Sequence, residues 1–169
     1  GKFKLAQLVR ANRELERVCR AYRLPCVSGK DSMKNDYGKG ENKISIPPTL
    51  LFSLFGDHPD VRMTATSDLK DAGEKLYLVG ESLYELGASE ISFMFRDENP
   101  SMGIGGNVPS LPNPENNLNT YRTLSRTIRQ GLVQTSHDCS EGGVGVAIAE
   151  MCIGGRIGAT IDIDGTGDI

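Results

Sequence analysis

Between Leu5 and Tyr22 apolar side chains return at helical spacing. Leu5, Leu8, Val9, Leu15, Val18, Cys19 and Tyr22 share one face, with Arg10, Arg13, Glu14, Arg17 and Arg20 largely off it. That pattern predicts a helix over 4–23. It has to stop at Leu24-Pro25, because a residue before proline is pushed out of the α region. Cys26 and Val27 can continue as a short buried strand. After the polar turn 37–43, the stretch Ile44–Phe55 is rich in β-formers. Ile44 and Ile46 alternate, and Leu50, Leu51, Phe52, Leu54 and Phe55 form a denser run suited to a strand covered on both faces. Pro47-Pro48 marks a kink or an edge within it, since proline has no N–H for a ladder. Residues 1–56 offer this strand one helix and little else, so its partner sheet has to come from elsewhere.

The pattern changes after Gly56-Asp57-His58-Pro59-Asp60. Residues 57–73 are mostly polar, which places a domain boundary near residue 65. Lys75–Val79 reads as a strand between Gly73 and Gly80, and the small-residue turn Gly87-Ala88-Ser89-Glu90 leads into the apolar run Ile91–Phe95. Residues 97–114 make a loop long enough for a functional role. Asn113-Pro114-Glu115 is a helix start, with a cap, a proline at the first helical position and an acid. Leu118, Tyr121, Leu124, Ile128 and Leu132 carry its apolar face to a stop at Gly131 or soon after. A short strand over 133–137 follows, then a helix with Val144, Ala147, Ile148, Met151 and Cys152 inward. Ile157–Ile163 alternates as a last strand.

Composition narrows the class. Of 169 residues, 38% are hydrophobic and 24% charged, the balance of a globular chain rather than a disordered one. Nineteen basic against 22 acidic residues give a net charge of −3 with no basic block, which argues against a nucleic-acid surface. No apolar run approaches the roughly 18 residues of a membrane span, and the N-terminus lacks a signal peptide's apolar core. Neither a membrane nor a nucleic acid is therefore expected as a partner. The four cysteines (Cys19, Cys26, Cys139 and Cys152) form no Cys-x-x-Cys pair, which argues against zinc and fits a reducing cytoplasm.

Two stretches bring chemical groups together. In Ser28-Gly29-Lys30-Asp31-Ser32 the glycine can take a positive φ, and a cation, a carboxylate and a hydroxyl follow within three residues. Those groups suit a phosphate, a hard metal ion and a sugar hydroxyl, and the same spacing also suits a plain solvated turn. It is not a Walker A loop, because Leu24 and Asp31 stand where that motif needs Gly and Ser or Thr. In His137-Asp138-Cys139-Ser140-Glu141-Gly142-Gly143, Ser140 can cap the following helix while Gly142 and Gly143 leave its first amides uncovered for an anion. His137 and Asp138 could ligate a metal or move a proton. Equally, Asp138 and Ser140 can be caps and the glycines a packing device. With His58 and His137 the only histidines, a self-contained triad is not expected.

Leu24-Pro25-Cys26-Val27-Ser28-Gly29-Lys30-Asp31-Ser32-Met33-Lys34-Asn35-Asp36 resembles the glycine loop in the second half of phosphoribosylformylglycinamidine synthases, the ATP-dependent amidine-forming enzymes of purine biosynthesis. Ile46-Pro47-Pro48-Thr49-Leu50 is similar to the strand that follows there, and Gly87-Ala88-Ser89-Glu90 to a later turn. Ser136–Gly143, ending in Ala149-Glu150-Met151, is similar to the strand-to-helix junction of that half's second domain. The first and last of these motifs are specific in combination, and the resemblance runs over nearly the whole chain. It implies an α/β (α+β) fragment. Residues 1–60 would be the C-terminal part of an AIR-synthetase-like N-terminal domain, 61–72 a linker, and 73–169 a truncated AIR-synthetase-like C-terminal domain. In that family the N-terminal domains pair through their sheets into a central barrel.

The resemblance further implies ATP and magnesium (Mg2+), with formylglycinamide ribonucleotide as substrate. The implied partners are a glutaminase domain or subunit supplying ammonia, the other half of the synthetase, and a pairing surface along 44–55 that could also self-associate. Carried over position by position, Gly29 and Lys30 would meet ATP and its phosphates, Asp31 magnesium and Ser32 the substrate. One branch of the family has Asn where this chain has Lys30, and another has Gly-Lys-Asp-Ser as here. The family's catalytic histidine would lie in the first half, so no catalytic residue is assigned and residues 1–169 alone are expected to be inactive. Aminoimidazole ribonucleotide synthetase, selenophosphate synthetase and thiamine-phosphate kinase share the architecture, and the Gly-Lys-Asp-Ser loop speaks against them. A non-catalytic pairing module is the remaining alternative.

Overall fold

The helical period at the start of the chain is realised as α1, Lys2–Tyr22. Leu15, Val18, Cys19 and Tyr22 on its apolar face are half-buried, whereas Leu5 and Val9 are exposed. Arg17 pairs with Glu14 at 2.6 Å and Arg20 with Glu16 at 2.9 Å, spacings that add a few tenths of a kcal/mol each to a helix. The structure, a computed structural model, describes residues 2–32, 35–83, 85–95, 97 and 108–162. The chain divides between His58 and Pro59 into two units, 1–58 and 59–169.

In the first unit α1 ends in a Schellman turn: Leu24 N–H donates to Cys19 O at 3.0 Å and Arg23 N–H to Arg20 O at 3.2 Å. Arg23 sits in the left-handed region at φ 56°, where a glycine would be usual. Further on, Tyr37 and Ile44 make an isolated antiparallel bridge around a 3-10 turn, Gly40–Asn42. Gly38 is obligatory there. Its φ is +76°, and a Cβ would lie 2.4 Å from Asn42 O. Asp36 ties this turn together, paired with Lys43 at 2.7 Å and accepting from Ser45 Oγ at 3.1 Å. Lys4 of α1 in turn donates to Ser45 Oγ at 2.5 Å.

Ile44–Phe55, expected as a strand, carries only that single bridge, and Cys26-Val27 pairs with nothing among the described residues. Leu51 and Phe55 are 91% and 94% exposed. A strand needs a neighbouring backbone for its N–H and C=O groups, and this unit provides none for the apolar run.

The second unit is built around the threading of residues 66–69 between an extended segment and a helix end. Thr66 and Thr135 form a parallel bridge, with Thr66 N–H to Gln134 O at 3.3 Å and Ser136 N–H to Thr66 O at 3.0 Å. Thr135 Oγ1 donates to Asp68 O at 2.9 Å, and Leu69 N–H to Met151 O at 3.1 Å. On the helix side Gly155 permits the approach, since a Cβ there would lie 2.2 Å from Leu69 O.

Among the described residues, three α-helices belong to this unit. The run Ile91–Phe95 is helical rather than extended: α2, Glu90–Met94, starts at Ser89, whose Oγ accepts from Ser92 N–H at 3.2 Å. Helix α3, Pro114–Arg129, starts as the sequence predicts, with Asn113 Oδ1 accepting from Asn116 N–H at 3.2 Å and Pro114 at the first helical position. It ends in a second Schellman turn with Gly131 at φ 71°. Helix α4, Gly143–Gly155, buries Ala147 and Met151 and half-buries Val144, Ile148 and Cys152, the inward face read from the sequence.

The α/β expectation meets a helical structure. Among the described residues the only β pairing is the two single bridges; 75–79 and 157–162 are unpaired, and 133–137 holds one bridge. Residue 163 and the middle of the expected loop, 98–107, lie outside the described residues. That loop's far end is fastened where Ser110 donates through Oγ (2.7 Å) and N–H (3.0 Å) to Glu85. No helix among the described residues is long and apolar enough to cross a membrane.

Candidate functional site

The bridge at Thr135 fixes the direction of the chain just before His137, and α4 begins six residues later. Between them opens a cavity of about 300 Å³, lined by His137, Asp138, Ser140, Glu141 and Gly142 and by four residues of α4, Gly143 and Glu150 among them. His137, 17% exposed, is held on both sides: Nδ1 lies 2.8 Å from Asp138 O, and Nε2 lies 3.0 Å from Glu150 Oε2. Both neighbours are acceptors, so a ring carrying N–H at both positions donates to both. Glu150 sits seven residues after Gly143, two helical turns along the same face. Sequence reasoning quoted Glu150 within a motif without giving it a role, although that i, i+7 spacing was there to be read.

Ser140 does not cap α4. Its hydroxyl instead donates to Asp138 Oδ2 in a short hydrogen bond, and the cap position falls to Gly142, which offers no side chain. The backbone explains the change: Gly143 N–H turns back to Ser140 O at 3.0 Å with Gly143 at φ 66°, so the Ser140 hydroxyl is left to serve its neighbour. That hydroxyl, with Asp138's own amide, holds the Asp138 carboxyl below the usual carboxylate range, against a small opposing effect of burial; His137 adds to the lowering. Asp138, Glu141 and Glu150 thus place three carboxylates around the cavity, a field that opposes a bare anion and suits a ligand arriving with its own cation or with hydroxyls.

The other candidate stretch lies in the first unit. Lys30 Nζ donates to Ser32 Oγ at 2.7 Å and to Asp31 O at 3.1 Å, folding the loop on itself, while the Asp31 side chain is exposed. Gly29 is not among the glycines with positive φ, and a Cβ there would meet nothing within 4 Å. The positive φ that the sequence allows is therefore not adopted at Gly29, and open space there lets a ligand reach the backbone. No group of three or more His, Cys, Asp or Glu side chains gathers to hold a metal among the described residues. Asp31 by itself is still a fitting donor for magnesium, which keeps most of its waters and needs one or two carboxylates beside substrate phosphates.

Residues 71–169 match the family described as AIR synthase related protein, C-terminal domain. This chain belongs to that family. Among curated proteins it is 35% identical over 158 residues to the phosphoribosylformylglycinamidine synthase subunit PurL of Deinococcus radiodurans, an alignment covering 94% of this chain and 21% of that one. The chain thus spans about a fifth of that relative's length. No solved structure matches it. Within the AIR synthase related domain lie α2, α3, α4 and the whole of the His137–Glu150 cavity, whereas the 29–32 loop precedes it.

Proposed function

We propose that the chain is part of an ATP-dependent synthase that makes formylglycinamidine ribonucleotide from formylglycinamide ribonucleotide and glutamine-derived ammonia, in purine biosynthesis. The observation that carries this reading is the 35% identity to a phosphoribosylformylglycinamidine synthase subunit along 94% of the chain, which takes in both units. Residues 1–60 would close an N-terminal AIR-synthetase-like domain, and 73–169 would open the C-terminal one, with 61–72 between them.

The 29–32 loop supports the nucleotide role by its chemistry. Lys30 presents an ammonium on the loop where phosphate charge has to be neutralised, the main task in phosphoryl transfer. Releasing it from the Ser32 hydroxyl frees that oxygen for a substrate hydroxyl. Asp31 would hold magnesium, which would supply positive charge to offset that of the phosphates. The backbone at Gly29 has open space beside it for a closely approaching ligand. The second loop supports a ligand role as well: Gly142 caps α4 with no side chain over its first turn, and Glu150 orients His137 toward the same cavity. Turnover would need the other half of the synthetase and its ammonia source, so residues 1–169 alone are expected to give none.

Calorimetry tests the assignment. ATP with magnesium is titrated into the chain, into Asp31→Ala and into His137→Ala. The expected result is binding that Asp31→Ala weakens about tenfold or more, the loss of one charge-assisted ligand, with His137→Ala changing it less. Unaltered affinity in Asp31→Ala, or no heat in any of the three, would overturn the placing of the nucleotide on this loop.

A further inference from the structure

The Schellman turn that ends α1 sends the chain back along its own last turn, and this brings two cysteines together. Cys19 Sγ and Cys26 Sγ are 3.8 Å apart, both as free thiols. Cys19 is half-buried and Cys26 exposed, and they face a cavity of about 380 Å³ that Arg20 and Arg23 also line. The geometry points to a reversible disulfide between Cys19 and Cys26, formed by a hydroperoxide, that fastens the start of the 26–32 loop to the end of α1.

Closing the bond requires the sulfurs to move from 3.8 Å to about 2.05 Å. Residues 24–32 are exposed and carry no helix or strand, so the shift can be taken up there without disturbing α1. The two thiols have different parts. Cys26, the exposed one of the pair, attacks the peroxide; the O–O bond breaks, Cys26 becomes a sulfenic acid and water leaves. Partial burial, and then the neighbouring Cys26 thiol, push the Cys19 thiol up from its ordinary range, so Cys19 is the poorer first attacker. It acts second. Its sulfur attacks Cys26 Sγ, the S–S bond forms, and the departing hydroxide takes the Cys19 proton. In total two thiols and one hydrogen peroxide give one disulfide and two waters, with two electrons passing from sulfur to peroxide. The bridge does not depend on what the 29–32 loop binds.

The test treats the chain with one equivalent of hydrogen peroxide, then alkylates it under denaturing conditions and maps the peptides by mass spectrometry. Alkylatable thiols should fall from the four of the sequence by half, with a Cys19–Cys26 cross-linked peptide that dithiothreitol reverses. Cys19→Ser should leave a sulfenic acid on Cys26 that dimedone traps, and Cys26→Ser should give no bridge to Cys19. Even oxidation of all the cysteines, bridges only between molecules, or Cys26 sulfinic acid beside a still-alkylatable Cys19 would each overturn the proposal.

Discussion

Among the described residues, Asp68 is the carboxylate held furthest below its ordinary range. Lys70, 2.6 Å away, and then the Thr66 hydroxyl, also at 2.6 Å, hold its carboxyl down to about 2 from 3.8. A carboxylate whose folded value is depressed stabilises the fold above its unfolded value and loses that contribution as pH falls through the folded one. The thermal midpoint of the second unit is therefore expected to hold from pH 7 to about 4 and to drop between about 4 and 2. Asp68→Asn should lower the midpoint at neutral pH and flatten the acid limb, as followed by circular dichroism. A limb as steep in Asp68→Asn as in the wild type would assign it elsewhere: Asp36, Glu85 and Asp138 are also held low, mainly by Lys43, Ser110 and Ser140 respectively. None of this was legible beforehand. Thr66, Asp68 and Lys70 read as an ordinary polar stretch, because their alternate spacing gains meaning only once Thr135 fixes the backbone beside them.

At the scale of elements, helix boundaries were legible where one residue type marks them, as at the ends of α1 and α3 before Pro25 and Gly131. The Asn113-Pro114 start of α3 was predicted and is observed, since a cap acts within four residues. All three longer helices end in the same Schellman turn, with Leu24, Leu132 and Ile157 N–H groups reaching Cys19, Thr127 and Cys152 carbonyls. Only Gly131 announces it; Arg23 and Arg156 occupy the same left-handed position at φ 56° and 53°. The left-handed conformation costs a non-glycine residue about 1–2 kcal/mol. Arg156→Gly and Arg23→Gly should each raise stability, by up to about 1 kcal/mol after glycine's greater unfolded-state entropy is subtracted, as read by urea denaturation. Gly155→Ala should do the reverse by roughly 1–3 kcal/mol, because its Cβ would strike the Leu69 backbone. If Gly155→Ala unfolded at the wild-type urea concentration, the close approach would not be a constraint on the fold.

At the scale of the molecule the two units differ in how much apolar surface they cover. The second buries Ala147 and Met151. The first has no fully buried side chain on α1, and it leaves Leu50, Leu51, Phe52, Leu54 and Phe55 exposed. An apolar run of that kind suits the proposed docking to another part of a synthetase or to a second copy. We expect sedimentation to show concentration-dependent association of the chain, lost in Leu51→Lys with Phe55→Lys. A monomer at all concentrations would count against 44–55 as a self-association surface.

The sequence by itself determined what acts over short distances: α1 and the inward face of α4 through their 3.6-residue period, the start of α3 through its cap, and the two glycine-containing loops through their composition. It also carried the family resemblance, which depends on residue identity rather than on geometry. What only the tertiary structure decided were the contacts that depend on the path the backbone takes. Glu150 meets His137 because α4 turns back over the junction, and Ser140 serves Asp138 because Gly143 adopts a left-handed turn. Cys19 meets Cys26 because Arg23 accepts a conformation that nothing in its own chemistry favours. The expected strands fall in the same class: β-propensity describes a surface ready to pair, and a ladder exists only where a second backbone lies alongside.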